Sequence, residues 1–276
     1  MATGRIRDAW LLAAGVAVLS SGSIFALLAG QPPLLTAFLR TLLASLPLVL
    51  LAAQRRELKG MPKREVLLAI ASGVLLAIHL SSWFASMGMV SVAVSLVLLS
   101  TAPLWSMLIG ALLGLESFRI QQAIAVVISL GGIGLIAWSA EGASSSLWGG
   151  ALALLSGLTM AGYTLCASAR SQEKSIVGFA AYSYLSAAGF LLFVSLGFGS
   201  LRVPDPPSSL LWILAMTVCS QLIGHTTVNW AAGRLGAVTV GQVLLLEPII
   251  ASLLAWAVFG QAVTLLQALG GAVVLV

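Results

Sequence analysis

The chain has 276 residues, of which 60% are hydrophobic and 8% charged, with a formal net charge of +5 and a mean hydropathy of +1.09. Soluble domains carry about 25% charged residues, so water is excluded as the solvent for most of this chain and lipid takes its place. In that setting the surplus of cations reports orientation in a membrane, and no nucleic-acid partner is implied.

A helix that crosses the hydrocarbon core needs roughly 20 apolar residues. Ten candidate spans follow one another, at 9–29, 33–53, 66–87, 92–113, 118–138, 147–169, 176–198, 208–232, 237–259 and from 263 onward. The last rises only about 21 Å before the sequence stops, short of a core of about 30 Å. Either it ends inside the membrane or the natural chain continues a little; the second is expected. The polar breaks QRRELKGMPKRE (54–65), SQEK (171–174) and VPDPPSS (203–209) read as turns rather than domains. The first span reads as an uncleaved signal. Cys166 and Cys219 both fall in apolar runs, which implies no disulfide.

The cations fix an orientation. With the N-terminus inside, one side receives Arg5, Arg7, Arg55, Arg56, Lys59, Lys63, Arg64, Arg119, Arg170, Lys174 and Arg234, and the other receives only Arg202. The remaining cation, Arg40, lies inside the second span. This asymmetry places both termini in the cytoplasm.

A shift of 145 lays the sequence on itself. Gly88 falls on Gly233, Leu99 on Leu244, Pro103 on Pro248, Leu108 on Leu253 and Gln122 on Gln267, with Glu116 on Gln261. Each half then holds five spans. Five is odd, so the second half enters the membrane upside down, the inverted repeat found in many secondary transporters. The expected fold is an all-α integral membrane protein of ten transmembrane helices in two inverted five-helix repeats, 1–140 and 141–276.

Three segments carry a family resemblance. QPPLLTAFLRTLLASLPLVLL (31–51) places a Pro, then an Arg, then a small-residue apolar helix. LLSTAPLWSMLIGALLGLES (98–117) and LLLEPIIASLLAWAVFGQA (244–262) each run from a Pro through small apolar residues toward Gly-Glu. Together they resemble the EamA-like family of the drug/metabolite transporter superfamily. Two positions depart from its pattern: the first copy reads Gly-Leu-Glu, and the second ends in Gln261 where the family has Glu. The resemblance covers nearly the whole chain. It implies ten helices in two inverted halves, export of small metabolites with amino acids prominent, and a bacterial cytoplasmic (inner) membrane location. No cofactor is implied.

Polar residues inside lipid are costly and belong on the bundle interior or a water-filled path. Gln221, His225 and Asn229 are four apart in the eighth span and share a helical face. Ser72, His79, Trp83 and Ser86 do so in the third span, and Ser156, Thr159 and Tyr163 in the sixth. In the fourth, Ser91, Ser95, Ala102 and Ser106 are small enough for close helix contact. Each group has a plainer reading. The hydroxyls can bond their own backbone, His79 and His225 can be satisfied packing groups, and Trp83 and Tyr163 can be packing aromatics. Trp10, Trp148 and Trp212 lie near span ends as interface anchors.

Pro103 and Pro248 are the more telling pair. Proline donates no hydrogen bond to the carbonyl four residues back, which frees Leu99 and Leu244. Interrupted helices at matching positions in two halves point to a transporter's central site; a mere packing kink is the alternative. Glu247 beside Pro248 costs about 2.5–3.5 kcal/mol at midplane on insertion scales. It can lower that cost by facing water, by protonation, or by pairing with Arg40.

The expected cavity residues are His79, Trp83, Tyr163, His225, Gln242, Leu244 and Glu247. The expected hinges are Gly88, Pro103, Gly233 and Pro248, within the links Gly88–Ser91 and Gly233–Gly236 and at the two kinks. No Gly-x-Ser-Gly nucleophile turn and no His-Glu-x-x-His metal pattern occurs, so neither enzyme chemistry nor a metal is expected. The partners are a small solute, amino acid or similar, and the lipid bilayer. Proton coupling, and monomer against homodimer, stay open. The alternatives of the same fold are a passive facilitator and an exchanger of nucleotide sugars or other metabolites. The nucleotide-sugar case would want several cations lining the cavity, and only Arg40 lies in a span.

Overall fold

The computed structural model describes residues 2–90, 92–115, 117, 119–138, 146–170, 175–260 and 264–274. Ser91, the loop 171–174 and the matched pair Glu116 and Gln261 lie outside the described residues.

The described residues are helical, with no strand among them. The first span is α1 (Ala2–Leu19) and α2 (Ser21–Ala29), parted at Ser20. Gly30 closes α2 at a positive φ of 58°, and Pro32 precedes the first turn of α3 (Pro33–Gln54), so two backbone breakers make the connection. Pro62 likewise precedes α4 (Lys63–Met87). The fourth span is α5 (Val92–Leu99) and α6 (Ala102–Leu112). After α7 (Ile120–Trp138), Ser146 caps α8 (Leu147–Ser168) by accepting from the Gly149 amide at 3.2 Å, and Ser175 caps α9 (Ile176–Gly197).

The eighth span begins as α10 (Ser209–Met216), widens into a π-helix over Thr217–His225 and returns to α11 (Thr226–Leu235). Gly236, at φ 88° and ψ 154°, turns the chain into α12 (Ala237–Leu244), a conformation that a residue with a Cβ rarely takes. The ninth span continues as α13 (Glu247–Phe259), and α14 (Leu265–Val274) follows.

Eight helical stretches among the described residues are long and apolar enough to cross a membrane. They fall at eight of the ten predicted spans. The other two predicted spans hold α7, with a shorter apolar stretch at Ile120–Leu135, and the ten-residue α14, which packs on α7. The outward faces are apolar to a degree that water would not support. Leu147 is 93% exposed and Phe193 77%, and each such side chain left in water forgoes about 1.5–3 kcal/mol. Trp10, Trp148 and Trp212 also point outward, and Trp212 stacks on Phe25 with ring centroids 6.2 Å apart.

Inside, α4 packs on α8 and α9, α3 on α9, and α6 on α8 and α12. Their shared core runs through Leu76, Leu80, Tyr163 and Tyr184. A second apolar cluster of Met107, Val126, Ile133, Val238 and Leu245 holds α7 to the side of the bundle. Many buried hydroxyls spend their hydrogen on their own helix: Thr41 donates to the Ala37 carbonyl at 2.9 Å and Thr159 to that of Leu155 at 2.8 Å. Ser86 does the same toward the Trp83 carbonyl at 2.7 Å, and its oxygen also bonds the Ser95 hydroxyl, which ties α4 to α5.

Candidate functional site

Two interrupted helices make the site. Between α5 and α6 the chain tightens at Ser100 and Thr101, where the Thr101 amide donates to the Leu98 carbonyl at 3.3 Å. Between α12 and α13 the amides of Leu245 and Leu246 donate to Gln242 and Val243 at 3.2 and 3.1 Å. These are bonds to the third residue back, a narrower turn than the α-helix. Pro103 and Pro248 then stand in the first turns of α6 and α13, where a missing amide hydrogen costs nothing. The Leu99 carbonyl oxygen lies against Gly157 of α8, where a Cβ would come within 2.8 Å of it. Only a glycine lets α8 approach the break so closely.

The second break gives Glu247 its place. It occupies the first turn of α13, where unpaired amides and the helix dipole favour negative charge by about 0.3–1 kcal/mol. Its side chain is buried and lines a narrow cavity of about 20 Å³, closed down to roughly one water in this conformation. Leu99, Pro103 and Leu244 line it at the two breaks, His79 and Trp83 from α4, and Ser220 and His225 from the π-helix.

The histidines differ in their anchoring. His79 Nδ1 lies 2.9 Å from Ser156 Oγ and 3.1 Å from the Ser156 carbonyl oxygen. Its ring stacks on Trp83 at 6.2 Å between centroids and meets the His225 ring edge-on at 6.0 Å. His225 has no side-chain partner for its Nδ1.

Of the seven expected cavity residues, His79, Trp83, His225, Leu244 and Glu247 are on the wall. Tyr163 is not. It stands behind His225, ring edge to ring at 5.6 Å, with its hydroxyl donating to the His225 carbonyl at a long 3.5 Å. Gln242 is also off the wall. It lies five residues before Glu247, about 140° around a helix, and α12 stays regular through Leu244, so the break comes too late to rotate it inward. Gly88 ends α4, and Gly233 lies within α11, with Gly236 making the turn that follows.

Arg40 does not pair with Glu247. The ion pairs of the described residues include Arg7–Asp8, Arg64–Glu65 and Arg234–Asp8, and neither Arg40 nor Glu247 takes part in one. Arg40, fully buried on α3, donates from Nε to Gln221 Oε1 at 2.7 Å and from Nη2 to Ser220 Oγ at 3.2 Å. Ser220 passes its own hydrogen to the Leu19 carbonyl at 3.0 Å, at the break in the first span. The reason is packing: α3 runs against the π-helix, whose Gln221 and Ser220 reach the guanidinium first. Tyr184 completes the network, bonding the Gln221 carbonyl at 3.1 Å and Thr226 Oγ1 at 3.0 Å.

Apolar spanning helices broken twice around an interior cavity, with a lone acid on its wall, fit the architecture of a membrane transporter. The chain belongs to the EamA-like transporter family, whose model matches residues 8–138 and again 147–276. It is 25% identical over 184 residues to the uncharacterized transporter YdfC of Bacillus subtilis (strain 168), a match over 67% of this chain and 60% of that one. The chain thus spans about 60% of the length of that curated relative. A solved crystal structure shares the fold at a TM-score of 0.78 with 16% identity, over 98% of this chain and 95% of the other.

Proposed function

We propose that the protein is a secondary-active exporter of small metabolites, amino acids foremost, working by alternating access. Its two halves, 1–140 and 141–276, each contribute five transmembrane helices, the second half inverted. The repeated family match supports the division. So does the recurrence of a broken helix with a proline in its second segment's first turn, at Pro103 and Pro248. The cavity lies where both breaks meet and moves from one side to the other as the halves rock about Gly88, Gly233 and the two prolines. The cation asymmetry supports a cytoplasmic position for both termini, in a bacterial inner membrane.

The observation that carries the substrate class is Glu247, buried on the cavity wall with no ion pair. A carboxylate kept without a protein cation suits a solute that brings its own ammonium group, or a proton. The remaining wall is largely apolar, with Leu99, Met160, Leu244 and Leu245 beside Trp83, which suits an apolar side chain.

Uptake of labelled amino acids into proteoliposomes, with and without a pH gradient, tests this reading. Accumulation of neutral apolar amino acids and trans-stimulated counterflow are expected. Flux without counterflow makes the protein a passive facilitator, and absence of flux for the whole panel removes the amino-acid assignment.

A further inference from the structure

On the cavity wall and directly behind it the unsatisfied groups are one-sided, whereas Asn229, a turn beyond His225 and off the wall, has both ends of its amide free. Buried polar atoms nearly always have partners, and each exception needs an explanation. Here Arg40 Nη1, Trp83 Nε1, Gln221 Nε2 and His225 Nδ1 have none. All four are nitrogens. Arginine and indole nitrogens only donate. The Gln221 amide is fixed the same way round, because its oxygen accepts from Arg40, which leaves NH2 as the free end. His225 Nδ1 donates in one of its tautomers. Trp83, His225 and Ser220 are on the wall, and Arg40 sits directly behind Ser220. One part of the cavity is therefore a set of donors backed by an uncompensated cation, while Glu247 on the α12–α13 break is an acceptor with no cation.

We infer that Trp83 and His225, backed by Arg40 and Gln221, form a carboxylate-receiving pole, so that the cavity takes a zwitterion with its ammonium at Glu247. The inference rests on the amino-acid reading above and adds an orientation to it. No hydrogen-bond partner within the bundle reaches these four nitrogens, and a solute carboxylate offers two oxygens able to take several N–H bonds in a low-dielectric site. Arg40 and Gln221 act as positioning residues: they lend charge through Ser220 and hold the π-helix that presents His225.

The test uses the full chain, purified in detergent, and three probes of one shape. Leucine carries both charges, isocaproate lacks the ammonium and isoamylamine lacks the carboxylate. His225→Phe and Trp83→Phe keep an aromatic ring and remove the N–H. Each should weaken leucine and isocaproate about tenfold, the worth of a hydrogen bond to a charged group, and leave isoamylamine unchanged. Glu247→Gln should do the reverse, weakening leucine and isoamylamine and sparing isocaproate. Equal losses for all three probes, or no loss, would mark the donors as structural or water-bonded and overturn the pole. Isoamylamine bound as tightly as leucine only when chloride is present would put an inorganic anion there, with the same consequence. Wild-type protein that binds none of the probes overturns the amino-acid reading and the pole together. Leucine bound normally with no charge-selective loss overturns the pole alone.

Discussion

Arg40 donates its Nε hydrogen to Gln221 Oε1 at 2.7 Å, across a sequence separation of 181 residues, and by doing so leaves Glu247 to the cavity. No ion pair joins the two charges, and each is held by different means. The cation is held by its hydrogen bonds to Gln221 and Ser220 of the π-helix, the acid by the first turn of α13. Had they paired, the wall would carry no charge for a solute to meet.

Gln221→Leu tests the cation's half of this arrangement. It removes the acceptor from a fully buried guanidinium and should destabilise the protein by about 2 kcal/mol, the usual range for a hydrogen bond to a charged group. Thermal unfolding in detergent reads the loss. Gln221→Glu, which restores an acceptor and adds charge, should recover most of it. Unchanged melting of the leucine variant would mean that Arg40 draws its stability from elsewhere.

Gly157→Val tests the seat of α8 on the first broken helix. A Cβ would stand 2.8 Å from the Leu99 carbonyl and 3.0 Å from Thr101 Oγ1, both fixed by the backbone of the break. Overpacking of this kind costs about 1–3 kcal/mol. The melting temperature should fall, while valine at Gly189, where a Cβ meets nothing, should leave it within a degree or two.

The breaks themselves are the subject of a third test. Replacing Pro103 and Pro248 by Ala returns two backbone donors and lets each span run on as one helix. The double variant should fold and bind, and exchange about tenfold more slowly in counterflow. Exchange at the parental rate would reduce both prolines to packing features.

Orientation is checked by cysteine labelling after Cys166 and Cys219 are replaced. A cysteine at Gly60 should react only from the cytoplasmic side, and one at Ser208 only from outside. Reaction of the Gly60 position in intact cells would invert the topology argued from the cations.

How much of this could be read from the sequence depends on the range of the forces involved. The spans were legible because a run of apolar residues reports its solvent one residue at a time. The breaks were legible because proline announces its missing donor wherever it stands, and the pairing of Pro103 with Pro248 needed only a shift of register. Gln221 as the partner of Arg40 was not legible. That contact depends on how α3 meets the π-helix, and TVCSQLIGH (217–225) contains nothing that separates a π-helix from an α-helix. The same limit explains Tyr163 and Gln242. Their types suit a cavity wall, but helix rotation decides which face they occupy, and it put Tyr163 one side chain behind His225 and Gln242 off the wall. The interruption at Ser20 also gave no warning, since its freed Leu19 carbonyl is satisfied by Ser220 from the other half of the chain.

Glu247→Gln bears most directly on mechanism, because it keeps the shape of the side chain and removes both its charge and its titratable proton. Glu247 has no ion pair to lose, so the variant should fold as stably as the parent, or slightly more stably once a buried charge is gone. Binding of a neutral amino acid should fall about tenfold, as expected for loss of one charge-assisted contact to an ammonium group. The response to a pH gradient then separates the two roles open to the acid. If the carboxylate serves only as the ammonium's partner, the variant transports slowly with the parent's dependence on the gradient. If it also carries the coupling proton, the gradient no longer drives accumulation and only downhill exchange survives. A Glu247→Gln variant that binds, accumulates and exchanges like the parent at every pH would show that the acid is there for the first turn of α13 alone, and the cavity would need another residue to recognise its solute.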